Sequence, residues 1–139
     1  MRAHISYPYD DQTPATVLDT ADAVAGVLDA VEERASDVGK PITALYLSPD
    51  PPDRSSEVLE VGANGEVGYL RFMEAAPSDR EWLTRGSTAT GGEIEYGYQG
   101  HAYTGPVPAS AEVPWQQVRQ AVIDYVDTGV RPNLDWVAA

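Results

Sequence analysis

Cysteine is absent from this 139-residue chain, so disulfides and thiolate metal sites are excluded. Histidine is nearly absent: His4 and His101 are the only imidazoles, and neither stands in a ligand motif such as two histidines four residues apart. No apolar run approaches the roughly 20 residues of a membrane span, and Met1 to Asp10 lacks the apolar core of a signal peptide. The chain is therefore expected to be soluble and cytoplasmic. Positive charge is scarce as well, with one lysine and eight arginines. Basic stretches interleaved with aromatics, the mark of nucleic-acid binding, are missing.

Acid is what the chain has in excess. Its 22 Asp and Glu residues give a net charge of −13 at pH 7. They are spread along the chain, nine in residues 1–50, nine in 51–100 and four in 101–139, so no single tail accounts for them. Such a field repels nucleic acid and anionic membranes and steers basic partners toward encounter. Many soluble proteins are acidic for solubility alone, so charge by itself does not assign a function. The length suits one domain, and no repeat or linker divides residues 1–139.

The pattern predicts an α+β fold. Ala3 to Tyr9 alternates as a short strand, with Pro8 marking its end or an edge position, and a second short extended piece covers Thr16 to Leu18. Asp19 is a candidate N-cap for a helix whose stripe is Val24, Val27, Leu28, Val31 and Ala35, stopped by Gly39 and Pro41. Ile42 to Leu47 predicts a buried strand. Val58 to Val61 and Val67 to Phe72 flank Asn64-Gly65, a strong hairpin signal. Trp82 and Leu83 fit a short strand, and Glu93 to Tyr98 a half-exposed one that His101 to Tyr103 pairs with across Gln99-Gly100. Gly105 to Pro108 is predicted as a stiff connector. Pro114 is expected in the first turn of a second helix, with Val118, Val122, Tyr125 and Val126 as its stripe and Gly129 as its stop. A last strand carries Trp136. Together these predict a single antiparallel sheet with two helices packed on one face.

Catalytic motifs are not found. No serine lies in a G-x-S-x-G elbow, and the glycines of Gly62 to Gly65 and of Gly91-Gly92 precede no helix that would cradle a phosphate. Glu93 and Glu95 share one strand face, close enough for paired-carboxylate chemistry, but their similar surroundings give no reason for different pKa values. The plain reading is a solvated face opposite a core of Ile94, Tyr96 and Tyr98. Trp82, in Asp79-Arg80-Glu81-Trp82, combines an aromatic anchor with carboxylates, a combination suited to a protein interface. No catalytic residue, metal ligand or cofactor site is assigned.

The C-terminal third carries a family resemblance. Val113-Pro114-Trp115-Gln116-Gln117-Val118-Arg119-Gln120-Ala121-Val122, followed by Tyr125-Val126, Thr128-Gly129, Arg131-Pro132 and Trp136, resembles the ending of immunity protein family 1 of bacterial polymorphic toxin systems. The upstream order of strands and helix is similar as well. Two departures are Trp115, where an aliphatic residue is expected, and the Val137-Ala138-Ala139 extension. The resemblance implies a partner protein that binds a cognate secreted toxin, a nuclease or nucleic-acid deaminase, and occludes its basic active site. Charge, aromatic content and loop position then mark Asp79, Glu81, Trp82, Glu93 and Glu95 as the partner-binding residues. No direct nucleic-acid, membrane or small-molecule partner is expected. An alternative with the same electrostatics is an acidic nucleic-acid mimic or adaptor acting on a host enzyme. A small-molecule binder or enzyme would instead require a deep pocket containing His101 with carboxylates around it.

Overall fold

The first helix, α1 (Ala21–Val38), forms where the apolar period of 3.6 places it, in a computed structural model that describes residues 1–9, 12–86, 91–98 and 101–139, with the backbone alone at 98 and 101–105. Val24, Leu28, Val31 and Ala35 are buried and Val27 is half-buried. The cap is Thr20, one residue after the predicted Asp19. Thr20 is extended and its hydroxyl accepts a 3.2 Å hydrogen bond from the Ala23 N–H, a donor the first turn leaves without a helical partner. Gly39 ends the helix at φ 72°, where a Cβ would be disfavoured.

The second helix, α2 (Trp115–Thr128), buries Trp115, Val118, Ala121, Val122, Tyr125 and Val126. Pro114 is its N-cap rather than a first-turn residue. It belongs to a two-residue strand, β9 (Val113–Pro114), and the Trp115 N–H donates to the Glu66 carbonyl at 2.8 Å. A neighbouring hairpin turn therefore satisfies a donor that a capping side chain would otherwise take.

The remaining strands are β1 (Ala3–Ser6), β2 (Thr16–Leu18), β3 (Ile42–Pro49), β4 (Val58–Asn64), β5 (Val67–Met73), β6 (Glu81–Thr84), β7 (Glu93–Tyr98), β8 (His101–Pro108) and β10 (Trp136–Ala138). They join in one sheet ordered β10-β6-β5-β4-β3-β1-β2, with β7 beside β3 and β8, and β9 beside β5. The pairings are antiparallel except for one parallel bridge, Ile42 to Gly97. The architecture is the predicted α+β sheet with two helices. Three local expectations change. The first strand stops at Ser6 instead of reaching Tyr9. The hairpin turn is Gly65-Glu66, because Asn64 still pairs with Val67 and Gly65 takes φ 66° at the first turn position. Residues 105–108 continue β8 against Glu93 to Glu95 instead of forming a connector. Gln99-Gly100 and the side chains of Tyr98, His101 and Tyr103 lie outside the described residues.

Alternation sorts each strand between two packed layers. On β5, Leu70 and Phe72 join the main core with both helices, whereas Tyr69 faces the other way and packs with Leu83, Tyr96, Val107 and Ala111. The β7–β8 hairpin thus covers part of the face that the helices leave open. A glycine makes room for it. A Cβ on Gly62 would fall 2.0 Å from Tyr69 Cε1 and 2.9 Å from Tyr96 Cε2, and the two rings meet edge to face with centroids 4.6 Å apart. Gly62→Ala is expected to destabilise the fold by about 2–3 kcal/mol through overpacking, read as a lower urea midpoint. An unchanged midpoint would mean that the two rings do not depend on that gap.

Candidate partner-binding surface

Three buried tyrosines each donate a hydrogen bond to a glutamate. Tyr69 Oη donates to Glu60 Oε2 at 2.5 Å, Tyr96 Oη to Glu112 Oε2 at 2.6 Å and Tyr125 Oη to Glu57 Oε2 at 2.7 Å. Glu60 is only 7% exposed and also accepts from Arg71 Nε at 3.3 Å. Thr43 Oγ1 lies 3.2 Å from the Tyr69 hydroxyl and, since that hydroxyl's proton goes to Glu60, acts as the donor. Asn64 Nδ2 donates to the Glu112 oxygen that Tyr96 uses. Arg71 reaches past Glu60 to Glu81 at 3.4 Å. These carboxylates tie strands, helix and hairpin together as part of the scaffold.

The tyrosine hydroxyls titrate accordingly. Burial, followed by the adjacent Glu60 charge, pushes Tyr69 well above the ordinary tyrosine value. Burial and then the bond to a glutamate raise Tyr96 and Tyr125 in the same way. In each case the folded pKa lies above the unfolded one, near 10. The associated stability is therefore present below pH 10 and is lost as pH rises toward the folded values. Urea midpoints should fall steadily above about pH 10, and less steeply in Tyr69→Phe, which removes one of the three protons. A flat profile over that range would contradict the pairing.

The five expected contact residues fall into two groups. Asp79, Glu81 and Trp82 lie together at the β6 end of the sheet, where they border one shallow depression with Ala138 and Ala139. Asp79 takes φ 52°, a left-handed conformation that Asp tolerates better than most residues. Trp82 is half-buried, and its indole N–H donates to Glu74 Oε2 at 2.6 Å. The Arg131 guanidinium carbon lies 4.9 Å from the Trp82 ring centroid and 5.6 Å from that of Trp136, so the cation sits against both indoles. Bonds from Ser78 and then Trp82 hold the Glu74 carboxyl below its usual range. Glu93 and Glu95 are exposed, but they stand on β7, which pairs with β3 and β8 and not with β6. The sequence reading missed Glu74, Arg131 and Trp136 as neighbours of Trp82. The Arg-Pro pair and closing Trp were visible as scaffold signals, yet their meeting with Trp82 depends on the β6–β10 pairing.

Trp115, the departure from the expected pattern, is 2% exposed and packs over Gly68. Its Nε1 has no hydrogen-bond partner among the described residues. No group of three or more His, Cys, Asp or Glu among the described residues is arranged to hold a metal ion. No helix among them is long and apolar enough to cross a membrane.

Two packed layers braced by tyrosine–carboxylate pairs, with half-exposed indoles and carboxylates at the sheet end, make a small α+β scaffold. The family model for immunity protein Imm1 matches residues 12–138, so the chain belongs to the Imm1 immunity protein family. It therefore has an immunity-protein role, with a toxin as the partner that role implies. A search of curated proteins finds no match.

Proposed function

We propose that this immunity protein neutralises a secreted polymorphic-toxin domain, a nuclease or nucleic-acid deaminase, by occupying its positively charged active-site cleft in the cytoplasm. It acts by binding, without turnover of its own. The observation that carries the reading is a net charge of −13 on a member of this family. A toxin that acts on nucleic acid presents a cationic cleft to phosphates, and an acidic globule competes for the same surface. Asp79, Glu81, Trp82, Glu93 and Glu95 are the proposed contacts, with Trp82 as the anchor and the carboxylates as steering groups. The same field disfavours nucleic acid and anionic membrane as direct partners.

Titrating the chain into purified cognate toxin domain should abolish activity at about one equivalent, as tight binding requires. Glu93→Gln with Glu95→Gln should slow association several-fold and flatten its dependence on salt, because exposed charges act mainly on the encounter rate. Toxin activity that persists at about tenfold excess of the folded chain would rule the reading out.

A further inference from the structure

The acidic field is not centred on the β6 end. Residues 79–85 carry two acidic and two basic side chains, Asp79 and Glu81 with Arg80 and Arg85. Helix α1 carries five carboxylates, Asp22, Asp29, Glu32, Glu33 and Asp37, against the single Arg34. An apolar groove lies along that helix. It has a volume of about 290 Å³ and is lined by Tyr7, Tyr9, Val27, Ala30, Arg34 and Ala44, among others.

The groove follows from the fold. Val27, Ala30, Val31 and Arg34 recur at i, i+3, i+4 and i+7 and so lie on one face of α1. Opposite them, β1 pairs with β3 only over Tyr46 to Pro49, which leaves Ile42 and Ala44 as a floor without β1 above or beside them. The chain leaving β1 supplies the far wall, Tyr7 and Tyr9. Tyr7 Oη is 3.2 Å from Thr16 Oγ1, which fixes that ring. The Arg34 guanidinium carbon lies 5.6 Å from the centroid of Tyr9. A Cβ at Gly97 would come within 3.6 Å of Tyr9 Cε2, so the same ring also abuts β7, the strand that carries Glu93 and Glu95.

We infer that this groove receives an aromatic side chain of the toxin, presented from a basic surface. The inference rests on the immunity reading above and adds a second anchor to it. Three features specify the occupant. The volume lies at the lower edge of ligand pockets, which suits one ring better than a whole small-molecule ligand. Two tyrosines and an arginine offer edge-to-face and cation–π contacts, which are selective for an aromatic guest over an aliphatic one. Glu33 and Asp37, three residues on from the groove residues Ala30 and Arg34, and the exposed Glu93 and Glu95 of β7 complement the basic residues around that guest.

The test uses the folded full-length chain and the toxin domain that it inhibits. Ala30→Trp, at an exposed helix position, fills the groove, and Arg34→Ala removes the cation. Gln120→Trp on α2 controls for an added surface indole. Calorimetry should show toxin affinity reduced about 30-fold or more by Ala30→Trp and about fivefold by Arg34→Ala, with melting temperatures unchanged, as expected for loss of a buried interface anchor. Gln120→Trp should match the parent. Free indole, titrated into the chain alone and followed by NMR, should shift the amides of Val27, Ala30 and Arg34, and Ala30→Trp should abolish those shifts. Tight toxin binding by all three variants would overturn the groove assignment and leave the immunity reading standing. A parent chain that takes indole into the groove but inhibits no toxin would overturn the immunity reading, and with it the assignment of the guest to a toxin.

Discussion

The ring of Tyr69 standing over Gly62 is the contact on which the arrangement of the second layer depends. Its edge meets Tyr96, its hydroxyl reaches Glu60, and Glu60 in turn holds Arg71. Through Tyr96 the β7–β8 hairpin is pinned to the face opposite the helices, and through Glu112 that pin extends to Asn64 at the end of β4. A neutral phenol is a suitable partner for a buried carboxylate. It supplies a short, strong donor without adding a second charge to desolvate, while raising the cost of ionising the phenol itself. The sheet can therefore hold an acidic residue at 7% exposure in a chain that already carries too much negative charge.

This changes what the acidic composition means. A chain at −13 works against its own compaction through self-repulsion. Glu57, Glu60 and Glu112 are turned to structural use by tyrosines, and Arg71 spans Glu60 and Glu81. The acids of α1 are exposed and face outward, and Asp29 pairs with Arg119 at 3.2 Å. Counting charge along the sequence cannot make this distinction. Glu60 on β4 and Glu93 on β7 look alike in the one-letter string, and only the opposing layer decides which is inside.

What the sequence makes legible is the part governed by short-range rules. The two helices, their glycine stops and their apolar stripes follow from period and cap chemistry, and the hairpin around Gly65 follows from its turn residue. Errors there are shifts of one or two positions, as at Thr20 and Pro114, where a neighbouring group supplies the hydrogen bond. The surface was less legible because it depends on pairings distant in sequence. Trp82 was recognisable as an anchor from its acidic neighbours, yet its contacts with Arg131 and Trp136 arise from β6 pairing with β10, more than 50 residues on. The groove is further from view. Tyr7 and Tyr9 extend the predicted first strand on paper, and they become a wall only because β1 ends at Ser6 and the chain turns away from β3.

That early ending also shapes the groove proposed above as a docking site. Had β1 continued to Tyr9, its backbone would have paired along the first half of β3 and closed the gap over Ile42 and Ala44. With the sheet left open there, β7 takes the single parallel bridge at Ile42, and α1 and the two tyrosines enclose a concavity. A binding protein gains from such a site only if its walls are fixed before the partner arrives, since ordering side chains on binding subtracts from affinity. Here the Tyr7 hydroxyl is held against Thr16, Arg34 lies against Tyr9, and α1 is capped at both ends. Fixed walls thus favour the groove as the preformed anchor point proposed above, and under that proposal the charge on the same helix directs a basic toxin surface toward it.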